Sequence, residues 1–183
     1  MPIDPAQLAR LTHRRWALPI LAELARLRGA KFVTLVHGLG AHHLAIRQAL
    51  DELIALGLVV RNPGYGHPLR PEYILTETGE AAAAICGTIN EHIVRRGWGD
   101  VAYRKWSLPT LLAVHRGSER FAAIRTSLGT ATDRAVALAL GSLCGAEVLT
   151  GRSLTTDARA VLYGLKSSGR EIALGLEELP AMG

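Results

Sequence analysis

Arg15-Trp16-Ala17-Leu18-Pro19 and Lys105-Trp106-Ser107-Leu108-Pro109 are two versions of one phrase, 90 positions apart in a chain of 183 residues. Self-similarity at such a spacing is the signature of repeated units and governs how every later segment is read. The offset persists: Leu50 and Leu53 match Leu140 and Leu143, Tyr73-Ile74-Leu75 matches Tyr163-Gly164-Leu165, and Gly79 matches Gly169. Phe32 with Phe121, and Leu39-Gly40 with Leu128-Gly129, agree at an offset of 89, which one small deletion near the second helix explains. Trp, Phe and Tyr are scarce, and Gly and Pro punctuate the backbone. Their agreement in one register therefore points to an internal duplication with pseudo-two-fold character, the units being 1–97 and 98–183.

Each unit reads as the same succession of elements. Leu18, Leu21, Leu24 and Ala25 recur at helical spacing within Ala17 to Leu27, with Pro19 tolerable in the first turn and Gly29 as the stop. Phe32 to His37 supplies a second helix ending near Gly38 and Gly40. Between His42 and Leu56, Ile46, Leu50, Leu53 and Ile54 form an apolar stripe opposite Arg47, Gln48, Asp51 and Glu52, which predicts an amphipathic third helix ending at Gly57. Leu58 to Arg61 and Glu72 to Leu75 are predicted strands around a turn rich in Gly and Pro. Thr76 or Thr78 then caps a helix running towards Gly97. In the second unit the helices fall near Leu108 to His115, Phe121 to Leu128 and Asp133 to Cys144, the strands near Val148 to Thr150 and Ala160 to Leu165. Ser168 with Glu171 suggests a capping box for the last helix. The fold class is mostly α with small β-hairpin wings (α+β), a tandem winged helix-turn-helix.

Composition agrees. Hydrophobic residues make up 49% of the chain and aromatics only 5%, which suits short packed helices with aliphatic cores. Lys and Arg outnumber Asp and Glu by 21 to 16, and a sequence pI near 9.7 makes a polyanion a plausible partner. Cys86 and Cys144 lie in apolar helical surroundings without metal-ligand spacing and read as buried thiols. No leader-like or membrane-spanning stretch is recognisable, so a cytoplasmic location is expected.

Four stretches of the first unit carry a family resemblance. They are Arg15-Trp16 opening a helix with Leu-Pro-Ile-Leu, Arg28-Gly29-Ala30-Lys31-Phe32, Leu50-Asp51-Glu52-Leu53 leading to Gly57-Leu58-Val59-Val60-Arg61, and Tyr73-Ile74-Leu75-Thr76-Glu77-Thr78-Gly79. With them the chain resembles winged helix-turn-helix transcription regulators of the HxlR type, relatives of the MarR group, closely over Trp16 to Ala84 and more loosely over Trp106 to Leu176. The resemblance implies a bacterial DNA-binding regulator. Family members are typically single units that dimerise, so two units in one chain imply a built-in pseudo-dimer, held by the connecting helix and the terminal helices, unless two chains still pair. Many members carry a redox cysteine near the N-terminus; none precedes Trp16 here, and a thiol switch is not expected.

In such a fold the third helix enters the major groove with its N-terminal residues. The first unit offers His42, His43, Arg47 and Gln48 there; Arg47 suits guanine and Gln48 adenine. Arg61, Tyr65, His67 and Arg70 on the hairpin suit phosphate or minor-groove contact. The second unit has Thr132 and Arg134 at its third helix, but Ala137, Leu138 and Gly141 where the first has Arg47, Gln48 and Asp51, which makes that face too apolar for a groove. The second unit is expected either to grip phosphates with Arg134, Arg152 and Arg159 or to face protein or ligand. The units are expected to be unequal, one reader with a modified partner.

A competing reading is a small-molecule binder with an apolar or aromatic effector in a pocket between the units, drawing on His13, Trp16, His92, Trp98, Tyr103 and Trp106. Core packing is the alternative for Trp16 and Trp106. An enzyme is not expected: no HExxH, phosphate-cradling loop or nucleophile elbow is present, and the scattered histidines imply neither metal nor other cofactor.

Overall fold

A computed structural model describes residues 2–64, 66–67, 70–154 and 157–181, with backbone alone at 154 and 157–160. The first half runs α1 (Pro5–Leu11), α2 (Ala17–Leu27), α3 (Phe32–Leu39), α4 (His43–Ala55), β1 (Val59–Arg61), β2 (Tyr73–Leu75) and α5 (Glu77–Arg95). The second runs α6 (Gly99–Ala102), α7 (Ser107–His115), α8 (Phe121–Ser127), α9 (Asp133–Gly145), β3 (Leu149–Leu154), β4 (Asp157–Leu165) and α10 (Ser167–Glu177). The protein is thus mostly helical with two small antiparallel hairpins, as its sequence pattern indicates.

Local chemistry sets the element ends. Asp4 and Gln7 form a reciprocal capping box at the start of α1, with Pro5 at the first helical position. The turn between α3 and α4 is made by Gly40, which sits at φ 60°, a conformation that costs little without a Cβ. Thr76 caps α5 by accepting from the Gly79 amide, and Thr132 caps α9 by accepting from Ala135. Apolar side chains then face inward: Ile46, Ala49, Leu50 and Leu53 of α4, and Val136, Ala139, Leu140 and Leu143 of α9, are buried at the same helical spacing.

The joint between hairpin and following helix is alike in both halves. Gly79 of α5 lies so close to the strand entering β1 that a Cβ would overlap the Leu58 carbonyl oxygen, and Gly169 of α10 stands in the same relation to Val148. Each hairpin is widened by a bridge to the segment before the second helix, Ala30 to Tyr73 and Arg120 to Leu162.

Several expectations are corrected. Ser168 is no N-cap: α10 begins at Ser167 after Lys166, without a side-chain cap bond, and Ser168 Oγ donates to the Glu147 carbonyl at 3.0 Å while Glu171 turns to Arg96. Lys166 holds the place of Thr76 and cannot accept a hydrogen bond, hence the missing cap. The second hairpin is longer than expected, because no proline interrupts residues 149–165, whereas Pro63 and Pro71 withhold N–H groups from the first. The second helix extends two residues past His37 to Leu39. The 89-residue offset needs a compensating insertion as well as a deletion, since Ala41 and Ala131, both buried, are again 90 apart.

The halves interlock. Ile3 N donates to Leu179 O at 2.9 Å, so the two ends of the chain meet. Helix α1 packs on α7 of the second half, and α10 packs on α5. Thr12 Oγ1 donates to the Lys105 carbonyl at 2.7 Å, and Arg15 pairs with Asp100 at 2.7 Å. Arg96 and His92 both approach Glu171. Helix α7 is central: every residue from Ser107 to Val114 is buried.

Candidate nucleic-acid interface

Helices α3 and α4 form a helix-turn-helix whose outer face is built by the inward apolar stripe of α4, because burying Ile46, Ala49 and Leu50 turns Arg47, Gln48 and Asp51 to solvent. His42, the N-cap residue, and His43 are exposed at the leading end. The Arg47 guanidinium lies 5.0 Å from the Phe32 ring centre, and the same ring meets His43 edge-on at 5.7 Å. Phe32 thus braces two candidate reading residues from the neighbouring helix, limiting the rotamer freedom they would lose on binding. Gln48 is differently placed: its side-chain oxygen accepts from Arg14 at 3.2 Å, and Arg14 also approaches Glu52 at 3.8 Å.

The first hairpin stands beside this face. Arg61 crosses the Tyr73 ring at 5.5 Å, bonds its hydroxyl at 3.2 Å and lies 3.5 Å from Glu72, so its charge is partly compensated within the hairpin. Glu72 also accepts from the Phe32 amide at 3.3 Å, fixing the hairpin against the start of α3. His67 and Arg70 are exposed at the tip. Tyr65 lies outside the described residues.

Sequence reasoning missed three exposed contributors: Lys31 before α3, Val33 on α3 and Leu44 on α4, the last 60% exposed beside His43. An apolar side chain at the front of such a helix suits contact with a thymine methyl. Periodicity could have found Leu44, since it falls outside the buried stripe. The bracing role of Phe32 has no local signal, because its partners lie 11 and 15 positions further along.

In the second half, α9 presents Arg134 at its leading end with no ion pair among the described residues, and Ala137, Leu138 and Gly141 exposed behind it. Thr132 is exposed but its hydroxyl serves as the cap. Asp133 is bound by Arg125 at 3.0 Å. Arg152 is exposed on β3; the side chain of Arg159 lies outside the described residues. The outward face of α9 is therefore more apolar than that of α4.

The six ligand candidates do not converge. His13 and Trp106 share a shallow cleft of about 100 Å³ between the halves, where His13 faces Glu52 at 3.3 Å. Trp16 and Tyr103 flank Arg15, each about 5.9 Å from its guanidinium. Arg96 covers Trp98 at 5.2 Å, and His92 points to Glu171. A larger groove of about 510 Å³ lies within the first half, between α2, β2 and α5, away from all six.

Electrostatics follow from these contacts. Arg15 holds the Asp100 carboxyl below the usual carboxylate range. Burial pushes the Cys86 thiol up to about 12; Cys144, expected to be buried as well, is only partly so because it lies in the last turn of α9, and that partial burial raises its thiol. No group of metal-ligating side chains gathers among the described residues, and no described helix is long and apolar enough to cross a membrane.

Comparison with known proteins adds one finding. Residues 101–183 match the family model of the HxlR-like helix-turn-helix. The matched half is the one in which the motifs quoted above are looser. A search of the curated proteins finds no match, and neither does a search of the solved structures. Over residues 101–183 the chain is thus similar to the HxlR-like helix-turn-helix, which supports a DNA-binding transcription regulator.

Proposed function

We propose that the protein is a cytoplasmic transcription regulator in which 1–97 and 98–183 act as a built-in pair of winged-helix units, the first reading sequence. The observation that carries this reading is the face of α4: Arg47 braced on Phe32, His42 and His43 at the leading end, and Leu44 exposed between them. Arg47 reads a guanine edge in the major groove, and Leu44 packs against a thymine methyl. Gln48 contributes to base readout once Arg14 releases its carbonyl. Arg70 and His67 at the wing tip contact phosphates, with Arg61 acting chiefly to hold the wing.

The second unit keeps cations at the front of its third helix and on its wing, Arg134 and Arg152, and grips backbone without reading bases. Intrachain contacts through α1, α5, α7 and α10 support a monomeric pseudo-dimer. The reading contains no catalytic step.

Selection of genomic fragments retained by the purified protein tests this directly. The expected site has one strong and one weak half. Replacing Arg47 with Ala should relax preference at one position by about 1–3 kcal/mol, whereas Arg70→Ala should weaken binding to all sequences alike. A symmetric palindrome, or equal effects of both substitutions on every sequence, would refute the division of labour.

A further inference from the structure

Leu44 differs from the residues around it. With Ile46, Ala49, Leu50 and Leu53 of α4 turned into the core, Leu44, Arg47, Gln48 and Asp51 share the outward face at spacings of three and four. The other three are polar or charged, yet Leu44 is 60% exposed in the first turn, directly after His43. That exposure shows that the core does not need it. In the second half, 90 positions on, Arg134 stands in its place and Ala137 in place of Arg47. The fold therefore accepts a cation here, and at the front of a helix aimed at a polyanion the leucine forgoes that charge.

The major groove offers such a side chain one apolar group, the C5 methyl of thymine. The donors and acceptors that otherwise tell the bases apart cannot pair with a leucine, which would only strip them of water. Leu44 therefore answers to the methyl and not to the letter of the base. Thymine and 5-methylcytosine carry that methyl at the same ring position; uracil and unmodified cytosine lack it. Arg47 limits where the methyl lies. Its guanidinium is held 5.0 Å from the Phe32 ring centre. Residues three apart on a helix surface have Cβ atoms about 5–6 Å apart, against about 3.4 Å between successive bases of one strand. Leu44 and Arg47 thus reach base pairs within about two steps of each other.

We propose that the first unit senses C5 methylation of its DNA site: the pyrimidine against Leu44 is favoured as thymine or 5-methylcytosine and disfavoured as uracil or cytosine, within about two base pairs of the guanine read by Arg47. This rests on the DNA reading above and adds a regulatory input to it, since a site with cytosine at that position binds weakly until the cytosine is methylated. Burying one methyl group is worth about fourfold in affinity. The effect occurs once per site, because the second unit carries Arg134 where the first has Leu44.

The probe is a duplex selected from genomic fragments that the full chain retains, titrated at fixed salt. The guanine read by Arg47 is located first, as the position whose preference disappears in Arg47→Ala. Each pyrimidine within two base pairs of it is then varied in two pairs, thymine against deoxyuridine and 5-methylcytosine against cytosine, the members of each pair differing only by the methyl. At one position uracil should bind about fourfold more weakly than thymine, and 5-methylcytosine about fourfold more tightly than cytosine. Leu44→Gln, a polar helix former at an exposed position, should bring both ratios near one while keeping the guanine preference. Arg47→Ala should remove the guanine preference and keep both ratios. Methyl ratios below about twofold at every such position, or ratios that persist in Leu44→Gln, would overturn the proposal while an intact guanine preference leaves the DNA reading standing. Failure to bind any duplex would overturn both.

Discussion

Gly79 and Gly87 both lie in α5, and replacing each with alanine should shift stability in opposite directions. In a helix interior, alanine is favoured over glycine by about 0.5–1 kcal/mol. At Gly87 nothing lies within 4 Å of an added Cβ, so the whole gain is realised. At Gly79 the Cβ would overlap the Leu58 carbonyl oxygen, a backbone atom that cannot swing aside. Relief requires α5 to move off the strand entrance, with overpacking costs of about 1–3 kcal/mol. The Thr76 amide bond to that same carbonyl, 3.0 Å long, is loosened too, at about 0.5–1.5 kcal/mol. The net effect is destabilisation by about 1–3 kcal/mol. For a chain of this length roughly 2–4 °C accompanies each kcal/mol, so Gly87→Ala should raise Tm by roughly 1–4 °C and Gly79→Ala should lower it by roughly 2–12 °C. Gly169→Ala should resemble Gly79→Ala, because its Cβ would strike the Val148 carbonyl that accepts from the Lys166 amide at 3.1 Å. Differential scanning calorimetry decides the matter: a rise in Tm for Gly79→Ala, or opposite signs for Gly79→Ala and Gly169→Ala, would refute the shared hairpin-to-helix joint.

Other consequences can be checked alongside. Gly57 sits at φ 69°, so Gly57→Ala should destabilise by about 1 kcal/mol after allowing for the lower entropy of the unfolded chain, read as a lower denaturant midpoint at unchanged m. Thr110 is fully buried, its hydroxyl without a partner among the described residues, where the first half has Ile20, so Thr110→Val should stabilise by about 1 kcal/mol in the same assay. Cys86, with its thiol pushed up to about 12, should resist alkylation at pH 8 until the protein unfolds, and prompt labelling of both cysteines in native protein would contradict its burial. Arg15 lowers the folded-state pKa of Asp100, so the stabilisation from this pair is present above the unfolded value near 4 and is lost as pH falls through the folded one. Asp100→Asn should accordingly flatten the loss of stability between neutral and acid pH, followed by chemical denaturation at each pH.

The order of elements was legible because it rests on signals carried by single residues: Gly40 at the helix-turn-helix corner, Thr76 before α5, and the apolar spacing of Ile46, Leu50 and Leu53. The apolar outward face of α9 was also legible, as Leu138 falls where Gln48 does in the first half. What stayed hidden depends on residues far apart in sequence. Arg14 occupying Gln48, Arg61 folding onto Tyr73 and Glu72, and Phe32 bracing Arg47 are tertiary facts without a local pattern. The terminal helices were expected to join the units, but that α1 docks on α7 in particular escaped for the same reason. The Ser168 cap failed because a serine followed three residues later by a glutamate fits a capping box, while the actual helix start is fixed by the hairpin two residues earlier.

The central claim is that the protein binds duplex DNA chiefly through the first unit, and the salt dependence of binding tests it most directly. With a duplex selected from genomic fragments, log Kobs should fall linearly with log salt, with a slope of about −0.9 for each phosphate contact, and the slope should flatten by about one contact in Arg70→Ala but not in Arg47→Ala. Failure to bind any duplex at low salt, or binding with no slope, would contradict it.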